Sequence, residues 1–264
     1  MHVVVCTKHT PDTAAKVEVK DGQAAWGDAP MVVNPWDEYA IEEAIRLKEA
    51  HGGKATVLTM GPESAKEALK QAVAMGCDEA ILLSDPALKG SDLLATSRAL
   101  AQAIHKLGDA DVVLFGKQAI DGDTGLTAIA VARRLGWSPL TYVAQIVELD
   151  PAARTIKVDR LLEEGRQTVT SHLPAVISVV KEINEPRYPS FMGIRKASKL
   201  AIPVWTTADI GLEAAQAGAA GSAVTWPEIA APPSREAACE FIEGANPEEI
   251  AALLADRLAA EKVI

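Results

Sequence analysis

Apolar and polar positions alternate in blocks along the first half of this chain, and the blocks follow two different periods. Residues 3–6, Val-Val-Val-Cys, form an unbroken apolar run, the pattern of a short strand covered on both faces. A polar stretch over 16–27 follows, and Lys20-Asp21-Gly22 within it carries the residues of a hairpin turn. Asn34-Pro35-Trp36-Asp37 then opens a helix. Asn34 suits the N-cap, Pro35 the first helical position, and Asp37 with Glu38 the positive end of the helix dipole. Ile41, Ala44, Ile45 and Lys48 continue at helical spacing until Gly52-Gly53. Apolar runs at 55–60, 79–83 and 112–115 predict three more strands, with helices over about 63–75, 92–106 and 125–135. Strands separated by helices of roughly 10–15 residues call for right-handed crossovers and a parallel sheet.

After Trp137 the pattern changes. Stretches at 141–149, 155–161 and 167–172 read as shorter strands, joined by Asp150-Pro151 and by Glu163-Glu164-Gly165. The β-branched run 175–180 is expected to return to the main sheet. The segment 184–199 contains Pro186, Pro189 and Gly193 and reads as an exposed loop. From Gly211 onward the chain is rich in Ala, Gly and Pro, and it finishes in an amphipathic helix over about 247–260. The expectation is therefore an α/β fold: a doubly wound, mostly parallel sheet in 1–210, a short antiparallel addition, and a C-terminal arm in 211–264. The arm packs either on its own domain or on a partner.

Composition narrows the function. At 264 residues, with 48% hydrophobic and 23% charged positions, the chain has the make-up of a folded protein. Aromatics are only 4%, so Ala, Val, Leu and Ile must build the core. Twenty-six basic against thirty-six acidic residues give a net charge of −10, which argues against nucleic acid and anionic membrane as partners. Cys6, Cys77 and Cys239 lie far apart with no CxxC or Cys/His cluster, a pattern that points away from zinc, iron–sulfur and disulfide frameworks. The N-terminal apolar run is too short for a secretory signal, and no run approaches the roughly 20 residues of a membrane span. A cytoplasmic protein without direct membrane insertion is expected.

Neither common phosphate-loop motif, GxGxxG or GxxxxGK[ST], is present. An open α/β sheet nevertheless binds ligands beyond the carboxyl ends of its strands, where the strand order reverses. Cys6-Thr7-Lys8, Met60-Gly61-Pro62 and Gly116-Lys117-Gln118-Ala119-Ile120-Asp121-Gly122-Asp123-Thr124-Gly125 fall at such ends. The last loop leads into a helix, so Thr124, Gly125, Leu126 and Thr127 would offer backbone N–H groups to an anion. Gly122 and Gly125 permit close approach, and the Thr124 and Thr127 hydroxyls add donors. A plainer reading has Asp123 capping the helix and Asp121-Gly122 forming a turn, and the residues alone leave both open. The helix start at Asn34-Pro35-Trp36-Asp37 is a second terminus friendly to anions. Five histidines lack metal-ligand spacing, no GxSxG elbow occurs, and Cys6 ends a buried strand as a packing residue.

The segment 184–196 strings Tyr188, Phe191, Met192 and Ile194 beside Arg187, Arg195 and Lys196. Exposed apolar anchors rimmed by positive charge suit docking to an acidic partner. The alternative is that these side chains fold inward onto their own domain.

From Val3 to about Leu212 the chain closely resembles the β subunit of electron-transfer flavoprotein. The segments that carry the likeness are Val-Cys-Thr-Lys-His-Thr-Pro-Asp-Thr at 5–13, Asn34-Pro35 with the acidic-basic stretch 42–49, Met60-Gly61-Pro62, Ala74-Met75-Gly76, the loop 116–124, and Asn184-Glu185-Pro186-Arg187-Tyr188-Pro189-Ser190. The resemblance implies an adenine-nucleotide α-hydrolase-like fold. It also implies a heterodimer with an α subunit that holds most of a redox-active FAD. Such a protein takes electrons from acyl-CoA or other flavin dehydrogenases and passes them to a quinone oxidoreductase or another acceptor. It further implies that Trp36 approaches the flavin and that AMP sits against Cys6, 34–37, Met60 and 116–127. Phe191 would anchor a recognition loop, at a position usually occupied by leucine. The stretch Asp121 to Thr127 departs from mitochondrial-type members and is closer to bacterial, nitrogen-fixation or bifurcating relatives, some of which bind a second FAD in place of AMP. The reading from another class is a stand-alone adenine-nucleotide-binding module without flavin.

Overall fold

A computed structural model describes residues 1–233 and 239–264; positions 234–238 of the expected arm lie outside the described residues. The chain opens with β1 (His2–Thr7), β2 (His9–Pro11), a hairpin of β3 (Glu18–Lys20) and β4 (Gln23–Ala25), and β5 (Met31–Val33). Helix α1 (Pro35–His51), β6 (Lys54–Met60), α2 (Lys66–Met75), β7 (Glu79–Leu83) and α3 (Leu93–Leu107) follow. Next come β8 (Val112–Gly116), α4 (Thr127–Leu135), β9 (Ser138–Asp150), β10 (Thr155–Leu162), β11 (Gly165–His172) and β12 (Ala175–Val179). The remainder is α5 (Phe191–Lys199), β13 (Val204–Trp205), the single turn α6 (Gly218–Gly221) and α7 (Pro247–Ala260).

Nine strands form one sheet in the order β11-β10-β9-β12-β8-β1-β6-β7-β13. β1 lies inside it, next to the central strand β8, and is buried along its whole length. Successive side chains of a strand point to opposite faces, so the unbroken apolar run feeds two cores. Val3 and Val5 pack beneath α1, α2 and α5 with Ile41, Ile45, Leu69 and Ala197. Val4 and Cys6 pack beneath α3 and α4 with Leu100, Ile104 and Val131. β1 pairs in parallel with β6 on one side and β8 on the other, Val4 standing opposite Thr56 and Val113. The chain walks outward through β6 and β7, then returns across β1 to lay down β8. The strand order therefore reverses between β1 and β8, which is where an open sheet splays its loops and leaves a crevice.

Three features depart from the expectations. β9 is a strand of 13 residues rather than a short one. Its first half pairs in parallel with β12 and its second half antiparallel with β10, so one strand joins the parallel sheet to the antiparallel extension. It bends at Tyr142, which has φ +58°, close to a register shift against β12.

The segment 184–199 is not an exposed loop throughout, because its second part is the helix α5. Ser190 caps that helix, its Oγ accepting the Gly193 N–H at 2.9 Å. Gly193, read as a helix breaker, is instead the residue that lets α5 lie against α2: a Cβ there would fall on the Ala74 carbonyl.

The first compact unit runs from Met1 to Glu228 rather than ending at 210. Ile210, Leu212 and Ala217 are buried in the core beneath α3 and α4, which holds this stretch to the domain. The second unit, Ile229–Ile264, contains α7, capped by Asn246 through the Glu249 N–H at 2.9 Å. None of the α7 side chains is buried. Among the described residues, no helix is long and apolar enough to cross a membrane.

Candidate functional site

A cleft of about 360 Å³ opens at the carboxyl ends of β1, β6 and β8. Cys6, Met60, Phe115 and Gly116 form its floor. Asn34 and Asp37, from the start of α1, stand on one side with Thr7 and Lys8. Lys117, Gln118, Ala119, Gly122, Asp123, Thr124 and Gly125 line a second side and lead to Thr127 and Ala128 of α4. Thus β1 and β8 do run side by side, and Cys6 and Asp123 meet at one cavity. Pro35, Trp36, Ile120, Asp121 and Leu126, expected at the same place, lie outside its lining.

The third wall was not foreseen. Ser91, Asp92, Leu93, Thr96 and Leu100 bring the N-terminal half of α3 to the cleft. The signal for it was in the sequence: Gly90-Ser91-Asp92 ahead of a helical apolar stripe marks a helix start, and a helix crossing from β7 to β8 must pass in front of β1.

The loops are held in place by side chains that first look like helix caps. Asn34 occupies the N-cap position of α1 but makes no capping bond. Its amide donates to the Gln118 carbonyl at 2.8 Å, and its Oδ1 accepts the Ile120 N–H at 3.2 Å. Asn34 therefore anchors the 116–125 loop, which arches over the cleft. Asp123 does not cap α4 either; it accepts from the Gln118 amide, and its own N–H bonds the Ala119 carbonyl at 2.8 Å. The N-cap position of α4 is Leu126, which has no side chain able to cap. The Lys8 ammonium reaches Asp121 at 2.7 Å and ties the end of β1 to the same loop.

Asp37 is the electrostatic centre of this arrangement. Its Oδ2 accepts the Lys8 N–H at 2.7 Å and its Oδ1 the Gly116 N–H at 3.2 Å, so one buried carboxyl joins the ends of β1 and β8 to α1. Burial pushes it up to about 7, with the amides of Lys8 and Gly116 and the Asn34 side chain pulling the other way. Gly116 is required where it stands: a Cβ would lie 2.5 Å from the Trp36 carbonyl carbon. Burial, assisted by Asp37, also drives the Cys6 thiol far above its usual range, so Cys6 is a packing residue and not a nucleophile.

Next to the cleft the Lys117 ammonium lies 5.4 Å from the centre of the Trp36 ring and 5.6 Å from that of Tyr142. Two aromatic faces thereby hold one cation at the rim. Among the described residues no cluster of His, Cys, Asp and Glu could hold a metal ion.

The residues expected to dock a partner divide into two groups. Phe191, Met192 and Ile194 stand exposed on α5, Phe191 at 78% and the preceding Tyr188 at 93% of their free surface. Arg195 is exposed beside them. Arg187 is committed instead to α1: it grips Glu42 through Nε at 2.8 Å and Glu49 through Nη1 at 2.7 Å, each with a second bond from Nη2. Lys196 donates to the Cys77 carbonyl at 3.1 Å. α1 thus carries the cleft at its start and fastens the approach to α5 along its length.

The mostly parallel sheet, with helices on both faces and a cleft at its switch point, defines a doubly wound α/β protein, and comparison with known proteins gives its family. The model of the electron transfer flavoprotein domain matches residues 25–210. The chain is 39% identical to the electron transfer flavoprotein subunit beta of Megasphaera elsdenii, over all of both chains. It is 42% identical to the protein of that description from Clostridium acetobutylicum, over 84% of this chain and 85% of that one. It is 38% identical to protein FixA of Azorhizobium caulinodans, over 97% of this chain and 93% of that one. The chain belongs to the electron transfer flavoprotein family, in its beta-subunit and FixA branch.

Proposed function

We propose that this chain is the β subunit of a cytoplasmic, heterodimeric electron-transfer flavoprotein, and that its cleft binds AMP as a structural ligand. The observation that carries the reading is the cleft itself. Cys6, Met60, Leu100 and Phe115 supply an apolar bed suited to adenine, while Thr124, Thr127 and the uncapped start of α4 supply donors suited to a phosphate. Of the three lining acids, Asp37 and Asp123 are each engaged by donors of the protein and present no unpartnered carboxylate to the cleft. A volume of about 360 Å³ lies at the small end of the roughly 300–1,000 Å³ range of small-molecule sites, which favours a mononucleotide over a second FAD.

The redox-active FAD would lie mostly on the α subunit, with the rim formed by Trp36 and Lys117 turned towards it. FAD, when bound, supplies the electron-accepting and electron-donating chemistry. The residues of this chain have other tasks. Lys117 places a positive charge beside Trp36, and Asp37 with Asn34 holds the loops that shape that rim. No side chain here needs to act as acid, base or nucleophile, which agrees with the inert Cys6.

Phe191, Met192, Ile194 and Tyr188 would dock acyl-CoA or other flavin dehydrogenases. Small, exposed contacts of this kind suit a carrier that must release each partner, the electrons then leaving to a quinone oxidoreductase or another acceptor. Co-expression with an α subunit tests the reading. A yellow complex that releases AMP on denaturation is expected; a colourless homodimer holding ATP would support the stand-alone nucleotide-binding module instead.

A further inference from the structure

The unforeseen α3 wall is not supported by its own helix alone. Asp92 caps α3 with one oxygen, Oδ1 accepting the Ala95 N–H at 2.9 Å. Its other oxygen accepts two N–H groups from far along the chain, Ala223 at 2.7 Å and Val224 at 3.0 Å. The same segment returns the contact. The Ser222 hydroxyl oxygen accepts the Asp92 N–H at 2.8 Å and lies 3.0 Å from the Gly90 carbonyl. Ala219 donates to the Lys89 carbonyl at 3.1 Å, and Arg98 of α3 donates to the Gly221 carbonyl at 2.7 Å. Gly218 lies so close to the Ala87 and Lys89 carbonyls that a Cβ would collide with both, and its φ of +56° favours glycine as well. Residues 218–224 form a strap built onto the start of α3, beyond the 25–210 stretch that matches the family domain.

The strap acts on the cleft through position. Asp92 lines the cleft. The backbone amides of Ala95, Ala223 and Val224 hold its carboxylate in one place; they overcome the upward push of burial and keep its carboxyl below the usual range. Ser91, Leu93 and Thr96, which share the wall, depend on where this corner is pinned.

We propose that Asp92 and the 218–224 strap are positioning elements of the cleft: they fix its α3 wall, and with it Ser91, Leu93 and Thr96, in the place from which that wall meets a mononucleotide. The proposal rests on the reading of the cleft as an adenine-nucleotide site.

Asp92→Asn separates the two jobs of this residue. Asn caps a helix as well as Asp does, but its amide group would face the Ala223 and Val224 N–H groups with no acceptor. Ser222→Ala cuts the strap from the other side and leaves Asp92 intact. Both variants are made in the full chain, in complex with the α subunit. AMP affinity is measured by calorimetry on complex stripped of nucleotide, alongside flavin absorbance and the thermal midpoint. Loss of hydrogen bonds of this kind should weaken AMP binding about tenfold in Ser222→Ala, which leaves the charge of the wall unchanged; Asp92→Asn, which also removes a negative charge from the wall, should weaken it by less, with flavin content unchanged in both. A strap with a purely structural role would lower the thermal midpoint and leave AMP affinity as in the wild type, and that result overturns the proposal. A wild-type complex with no affinity for AMP would overturn the parent reading instead, so the two failures are distinct.

Discussion

Titration from about pH 5.5 to about pH 7.5 should ionise one buried group, Asp37, with measurable consequences for the fold. Burial holds its carboxyl at about 7, against an ordinary value of 3.8. Between those two values the folded chain binds a proton that the unfolded chain has already released, so stability falls as the pH rises and levels off above neutrality. A shift of about three units at about 1.4 kcal/mol each is roughly 4 kcal/mol across the whole range, of which about 2 kcal/mol falls between pH 5.5 and 7.5. Asp37→Asn cannot ionise and should lose this slope. It keeps one acceptor for the Lys8 N–H but turns an amide towards the Gly116 N–H, at a cost of about 1–2 kcal/mol. The variant should therefore be the weaker protein near pH 5.5 and draw level with the wild type near pH 7.5. Urea midpoints of both proteins across this range supply the comparison, and titrating groups elsewhere cancel in the difference. A wild-type-minus-variant difference that stays flat with pH would refute the reasoning.

The other predictions concern the second face of the molecule. Phe191→Ala should slow reduction of the complex by a dehydrogenase about tenfold in stopped-flow measurements, while flavin absorbance stays at the wild-type level; lost flavin would mean that α5 faces the α subunit. Arg187→Ala leaves the buried Glu42 with only Arg46, at 2.8 Å, and should cost about 2 kcal/mol in urea unfolding. Arg187→Lys should recover only part of that, because a single ammonium cannot grip two carboxylates side by side. Gly193→Ala forces α5 away from the Ala74 carbonyl and should cost about 1–3 kcal/mol, with weaker binding of the dehydrogenase in the same preparation.

Much of the site could be read from the sequence because it follows from strand order. An unbroken apolar run at 3–6 and another at 112–115, each buried on both faces, had to lie inside a parallel sheet, and the loops after them had to meet at its switch point. What stayed hidden depends on long-range partners. Asn34 has the residue type of a helix cap, yet its partners are Gln118 and Ile120, more than eighty positions away. Pro189 and Gly193 look like breakers, but Pro189 leads into the Ser190 cap and Gly193 meets the Ala74 carbonyl. Arg187 looks like a docking cation until Glu42 and Glu49 are placed beside it. The strap at 218–224 has the composition of a flexible arm, and only its hydrogen bonds to Asp92 and Lys89 give it a fixed place. The α3 wall needed two signals joined: the local helix start at Ser91-Asp92 and the strand order that carries α3 across the end of β1.

The most direct test is a nucleotide count. The chain is purified in complex with its α subunit, denatured, and the released adenine nucleotides and flavins are separated and quantified. The account predicts AMP and FAD in equal amounts. A complex that releases FAD but no AMP, or twice as much FAD as protein, would contradict the assignment of the cleft between β1 and β8.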